Sequence, residues 1–166
     1  MSKKLKIAGI TTTRADYGHL YWPFKKLLEN GYDLKVVVSG SHLSRSHGLS
    51  YRIIEKDGFE ISHKLKILEE NSDSPMDIVR ASGKALIKFG ECFSEMNPDL
   101  ILLLGDRYEA LTAAQAALIV GIPVAHLSGG DTTEGAFDES IRHAITKLSH
   151  IHFPTNEEAK KRIIQM

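Results

Sequence analysis

Between Asp106 and His143 the chain concentrates side chains that move protons and hold anions. Asp106 and Arg107 follow the apolar run LILLLG. Ser128, Gly129, Gly130 and Asp131 follow the run PVAHL, with Glu134 three positions on. Asp138, Glu139, Arg142 and His143 open the next periodic segment. Carboxylates delivered from neighbouring segments suit general acid–base catalysis. Arginines beside them suit a phosphate, whose oxygens match the guanidinium fork. Arg14, in the polar loop TTTRAD near the start, is a further candidate for a diphosphate. Each residue also has a plainer role. Asp106 reads equally as a cap of the following helix, Asp131 and Glu134 as surface carboxylates, and Arg14 as a solvated loop residue. Asp138 and Arg142 are four apart, so an ion pair along one helix face is expected. Arg107 places a cation at a helix start, where the dipole disfavours it, and this fits a nearby anionic ligand better than it fits stability. Gly129 and Gly130 permit backbone angles and close approach that other residues forbid.

Other chemistries find less support. The first loop, GITTTRADYG, is neither a G-x-G-x-x-G dinucleotide fingerprint nor a G-x-x-x-x-G-K-[ST] phosphate loop. A G-x-S-x-G nucleophile elbow is also missing. His150 and His152 form an H-x-H pair, but no carboxylate or cysteine stands at ligand spacing, so no metal site is expected. Cys92 has no second cysteine to pair with and falls in a helical pattern, which predicts an inert buried thiol and a reducing cytoplasm.

The elements that carry these residues alternate. Short apolar runs at Leu5–Ile10, Leu34–Val38, Leu100–Leu104, Pro123–Leu127 and His150–Phe153 predict strands. A weakly alternating stretch at Phe59–Leu65 predicts an edge strand. Helical patterns fall at Tyr17–Glu29, with Pro23 expected to kink or restart it, on a short segment through Ile53 and Ile54, from Ser74 to Asn97, at Tyr108–Val120, at Phe137–Leu148, and after Asn156. Ser74-Pro75-Met76-Asp77 is a strong helix start. The run LILLL is apolar on both faces, as a central parallel strand requires. The alternation predicts an α/β fold, a doubly wound parallel sheet of Rossmann type with right-handed crossovers and strand order 3-2-1-4-5-6. The ligand edge then lies at the carboxyl ends of the strands, with Thr11–Asp16 facing Gly105–Arg107 at the switch point.

At 166 residues the chain is one domain. It carries 21 basic and 21 acidic residues, so no net field draws it to nucleic acid. The apolar run at the start ends by Ile10, too short for a signal peptide, and no segment is suited to a membrane. The last helical pattern runs to Met166 without a cap, which is expected where a second domain follows.

Five motifs together resemble one family. T-x-R-A-D-Y at Thr12–Tyr17, V-x-G-S-H-L at Val38–Leu43, G-D-R at Gly105–Arg107, H-L-S-G-G-D at His126–Asp131 and D-E-S-I-R-H-A-I-T-K at Asp138–Lys147 resemble the N-terminal domain of the hydrolysing UDP-N-acetylglucosamine 2-epimerases. The resemblance covers essentially the whole chain. It implies one half of a GT-B-type two-domain enzyme, with the active site between the domains and the C-terminal domain outside this chain. It implies elimination of UDP to a 2-acetamidoglucal, then hydration to N-acetylmannosamine, without a cofactor or metal. It implies a UDP-sugar substrate, a homo-oligomer in the full-length enzyme, and no nucleic-acid or membrane partner. By motif match, Asp106 and Asp131 are the acid–base carboxylates. Many relatives carry glutamate where Asp131 stands, so Glu134 is a third candidate. Arg14 and Arg107 match positions near the diphosphate, and Asp138, Arg142 and His143 the segment lining the sugar pocket. Non-hydrolysing relatives carry glutamate in place of Ser128, which favours the hydrolysing branch. A UDP-2,4-diacetamido-2,4,6-trideoxyglucose substrate stays open. So do a non-hydrolysing epimerase, a GT-B glycosyltransferase and a non-catalytic nucleotide-sugar-binding half-domain.

Overall fold

A computed structural model describes residues 4–69, 74–133 and 137–166. Six strands form one parallel sheet: β1 (Lys6–Thr11), β2 (Asp33–Val38), β3 (Ile61–Lys64), β4 (Leu100–Leu104), β5 (Val124–Leu127) and β6 (Ile151–Phe153). Their order is β3-β2-β1-β4-β5-β6, as the alternation predicts. The helices are α1 (Arg14–Glu29), α2 (Tyr51–Lys56), α3 (Pro75–Met96), α4 (Tyr108–Val120), α5 (Asp138–Leu148) and α6 (Glu157–Gln165), with a single 3₁₀ turn at Gly40–Leu43.

Side chains of β4 divide between two cores. Ile101 and Leu103 pack with Phe89, Phe93 and the alanines of α4, whereas Leu102 joins Leu20, Phe24 and Val36 beneath α1. The alanine face of α4 lets that helix lie close to the sheet. On the α1 side, Leu100, Leu102, Ala125 and Leu127 line an open apolar groove of about 400 Å³ with Pro23 and Leu27. Ile151 and Phe153 at its rim are exposed.

Two helix starts follow from capping. Ser74 accepts from the Asp77 amide at 3.2 Å and Asp77 returns the bond to the Ser74 amide, so α3 begins as its sequence predicts. Helix α1 begins at Arg14, three residues before the expected Tyr17, because Thr13 and Asp16 form the same reciprocal box. It runs through Pro23 as one helix to Glu29. Gly121 ends α4 in the left-handed region, at φ 77°. No described helix is long and apolar enough to cross a membrane.

Candidate functional site

In a parallel sheet the ends of β1, β4 and β5 open on the same edge, and the loops that follow them carry Arg14, Asp106, Arg107, Ser128 and Asp131. The loop after β1 is shaped by Asp16. Its Oδ2 accepts from the amides of Thr12 (3.1 Å) and Thr13 (3.0 Å) and from the Thr12 hydroxyl (2.6 Å). This fixes Arg14 at the first position of α1, where its side chain is exposed and has no hydrogen-bond or ion-pair partner among the described residues.

The loop after β2 leans on the same corner. His42 is fully buried, with Nε2 at 2.9 Å from the Thr11 hydroxyl and Nδ1 at 2.8 Å from the Ser50 hydroxyl. Burial depresses its pKa to about 4. Gly40 adopts φ +53°, and a Cβ there would stand 2.7 Å from the Thr12 carbonyl and 2.9 Å from Glu109 Oε1.

After β4, Arg107 is the N-cap of α4 but makes no side-chain cap bond. Its guanidinium turns to Glu109 instead, with Nε at 3.2 Å from Oε2 and Nη2 at 3.3 Å from Oε1. Glu109 is fully buried. Burial raises its pKa, and Arg107 offsets part of that rise. Burial works against the Arg107 cation, but Glu109 outweighs it and the pKa is raised. The sequence reading looked to a nearby anionic ligand for Arg107; the structure adds an internal anion, a buried glutamate two residues on.

Asp106 does not cap α4. Its Oδ2 is held by Arg142 Nη2, from α5. Arg142 is 9% exposed and also donates from Nη1 to the Thr133 hydroxyl at 2.9 Å. The expected Asp138–Arg142 pair is therefore not the contact that forms: the guanidinium turns inward to Asp106 and Thr133, and Asp138 stays half-buried in the first turn. His143 is half-buried, with Nε2 at 3.4 Å from Glu139 Oε1 one turn back. Its Nδ1 is buried without a hydrogen-bond partner among the described residues.

The loop after β5 bends at Ser128, whose φ is +59° and whose amide donates to the Phe153 carbonyl at 2.9 Å. Asp131 is tied to the start of α6, accepting from the Thr155 hydroxyl at 2.9 Å and the Asn156 amide at 3.1 Å. Glu134 lies outside the described residues. The two glycines do not leave space for a sugar. A Cβ at Gly129 would stand 2.8 Å from both His126 Nδ1 and Thr146 Oγ1, and one at Gly130 would stand 2.5 Å from the Ala159 carbonyl. Close approach is needed, but protein fills it.

His126 joins three of these segments. Its Nε2 donates to the Gly105 carbonyl at 2.7 Å, and its Nδ1 faces the Thr146 hydroxyl at 3.3 Å beside Gly129. The ring is fully buried and burial lowers its pKa to about 4, so it is neutral. It is a strut between the β4 end, the β5 loop and α5. His150 lies just before β6 and His152 on it. Among the described residues, no group of three or more His, Cys, Asp or Glu side chains is arranged to hold a metal. Cys92 is buried, and burial pushes its thiol up to about 12.

A family model described as UDP-N-acetylglucosamine 2-epimerase matches residues 25–166. The chain belongs to that family. It is 40% identical over 168 residues to a GDP/UDP-N,N'-diacetylbacillosamine 2-epimerase (hydrolyzing) of Campylobacter jejuni, covering 100% of this chain and 43% of the relative. It is 42% identical over 162 residues to a UDP-N,N'-diacetylbacillosamine 2-epimerase (hydrolyzing) of Legionella pneumophila, covering 97% and 42%. The chain therefore spans less than half the length of these relatives. The fold matches a crystal structure of UDP-GlcNAc 2-epimerase from Neisseria meningitidis bound to UDP-GlcNAc, with TM-score 0.83 and 20% identity over 97% of this chain and 43% of that one. The family's half-length sheet, with helices on both faces, is thus the fold seen here.

Sequence reading put Asp16 and His126 in motifs at this corner without their structural roles, and missed Glu109. Thr13-x-x-Asp16 was a legible capping signature. Nothing in YEAL marks Glu109 as buried, because its burial depends on Gly40 arriving from another loop.

Proposed function

We propose that the chain is the N-terminal, Rossmann-like domain of a two-domain hydrolysing UDP-sugar 2-epimerase, with a GT-B-like cleft against a C-terminal domain. The observation that supports this most is the meeting of Asp106, Arg107 and Arg142 at one sheet edge, drawn from two of the family's motifs. The names of the relatives at 40% and 42% identity point the same way.

The chemistry accounts for the residue types. A carboxylate takes the C2 proton as the C1–O bond to UDP breaks, giving a 2-acetamidoglucal. Water then adds at C1 and a proton is returned to C2 on the opposite face, giving the 2-epimer and free UDP. Asp106 and Asp131 are the proposed acid–base pair, with Glu134 as the further candidate. Positioned groups of this kind are worth roughly 10²–10⁴-fold. Arg14 and Arg107 stand where a departing diphosphate needs cations. Ser128, Asp138 and His143 line the sugar side. Arg142 orients Asp106 rather than meeting sugar through a free guanidinium. The uridine falls to the remainder of the enzyme, so the 166-residue chain alone has no turnover. No nicotinamide is required, since no hydride is lost.

The sugar is a 2-acetamido sugar, with UDP-N-acetylglucosamine and UDP-N,N'-diacetylbacillosamine as the two candidates. Proton NMR of the products from each, with the full-length protein, tests the reading. Free UDP with a free 2-epimeric sugar supports it. A product still bearing UDP would instead indicate a non-hydrolysing epimerase, and transfer of the sugar to an acceptor a glycosyltransferase.

A further inference from the structure

We propose that Glu109 is a positioning residue for the diphosphate site, acting through Arg107. The proposal rests on the reading of the full-length protein as a UDP-sugar 2-epimerase. An arginine at a helix N-cap has a long, mobile side chain, and the helix dipole gives it no reason to stay. Here two parallel bonds to one carboxylate hold it, at 3.2 and 3.3 Å. Such a fork fixes the plane of the guanidinium as well as its place. The anchor is itself immobile. Glu109 has no exposed surface, lies in the first turn of α4, and has Oε1 packed against the backbone of Gly40. Gly40 in turn rests on the Thr12 carbonyl, next to the loop that carries Arg14. The carboxylate therefore references Arg107 to the β1 and β2 loops together.

The fork occupies Nε and Nη2 of Arg107, while its side chain remains 40% exposed. Nη1 is left for an anion at the edge. A buried glutamate against a half-exposed arginine is a poor device for stability, because the carboxylate is desolvated in full and the partner only in part. It is a good device for presenting a cation at a fixed angle. Neither lysine at 107 nor an amide at 109 reproduces it: lysine has no fork, and an amide offers one acceptor where the fork uses two.

The test is UDP binding by calorimetry to the full-length protein. Glu109→Gln is near-isosteric and removes a buried charge, so the fold should survive. Arg107→Lys probes the same clamp without touching the buried group. Both should weaken UDP by about tenfold or more, and both should raise KM for the UDP-sugar more than they lower kcat. Glu109 also meets the Tyr108 side chain, but Glu109→Gln added to Arg107→Ala should cause no further loss of UDP affinity, because its effect on the ligand runs through the arginine. Wild-type affinity in Glu109→Gln or in Arg107→Lys overturns the proposal. So does a full additional loss in the Arg107→Ala background, which would assign Glu109 to the fold alone. These results are separate from failure of the functional reading, which would show as no UDP binding by the wild-type protein.

Discussion

Arg142 and Asp106 are 36 residues apart in the chain and form one ion pair at the carboxyl edge of the sheet. The arginine also holds Thr133, so a single guanidinium joins the end of β4 to the loop after β5. Removing either partner should therefore disturb the other. In the full-length enzyme Asp106→Asn should cost roughly 3–5 kcal/mol of transition-state stabilisation, the general acid–base range. Near-normal kcat in that variant would remove Asp106 from the mechanism. Arg142→Ala should also lower kcat, and the double variant should lose less than the sum. A coupling of about 1–3 kcal/mol from the double-mutant cycle is expected for groups in contact.

The two buried imidazoles make stability depend on pH. His42 and His126 each have a folded pKa of about 4, below the ordinary 6.5, because burial disfavours the charged ring. Between those values the unfolded chain binds protons that the folded chain does not. Stability is thus complete above pH 6.5 and falls as pH drops from 6.5 towards 4, by up to about 3 kcal/mol for each ring. Urea unfolding of the chain at pH 7 and pH 5 should show a lower midpoint at pH 5. His126→Gln should reduce that difference, and an unchanged difference would assign the pH dependence to other groups.

What could be read ahead of the structure follows from how local each signal is. The run LILLL and the alanine-rich YEALTAAQAALIV are self-contained, and both elements start and end where they were expected. The switch point followed from strand alternation. The sequence named candidate residues on the loops at this edge, but not the partners they have there. Arg142 reads as a partner for Asp138 because four-residue spacing is visible in sequence, whereas Asp106 is 36 residues away and visible only in the fold. Glu109 and the glycines fail for the same reason. Their neighbours come from Gly40, His126, Thr146 and Ala159, on other segments.

Gly130 should tolerate no side chain. Its φ is +76°, where a Cβ costs roughly 1–2 kcal/mol. The added atom would also press on the Ala159 carbonyl of α6 at 2.5 Å, and backbone cannot rotate away. Gly130→Ala should therefore destabilise the chain by more than the conformational cost alone. It should also move Asp131, whose carboxylate is bonded to Thr155 and Asn156 at the start of the same helix. Chemical unfolding and kcat measured together check this. A variant with normal stability and normal kcat would show that α6 yields freely.

Asp16 offers the cleanest separation of local structure from function. Its carboxylate satisfies two amides and one hydroxyl of the loop that presents Arg14. Ser74 and Asp77 make a comparable box at the start of α3, a helix that carries none of the named site residues. Loss of either cap should cost on the order of 1–2 kcal/mol in urea unfolding. Only Asp16→Ala should also weaken UDP binding to the full-length enzyme, because its loop carries Arg14 to the ligand edge. Ser74→Ala should unfold more easily yet bind UDP as the wild type does. Equal binding by both variants would place Arg14 outside the diphosphate site, since its loop would then be free to relax without consequence.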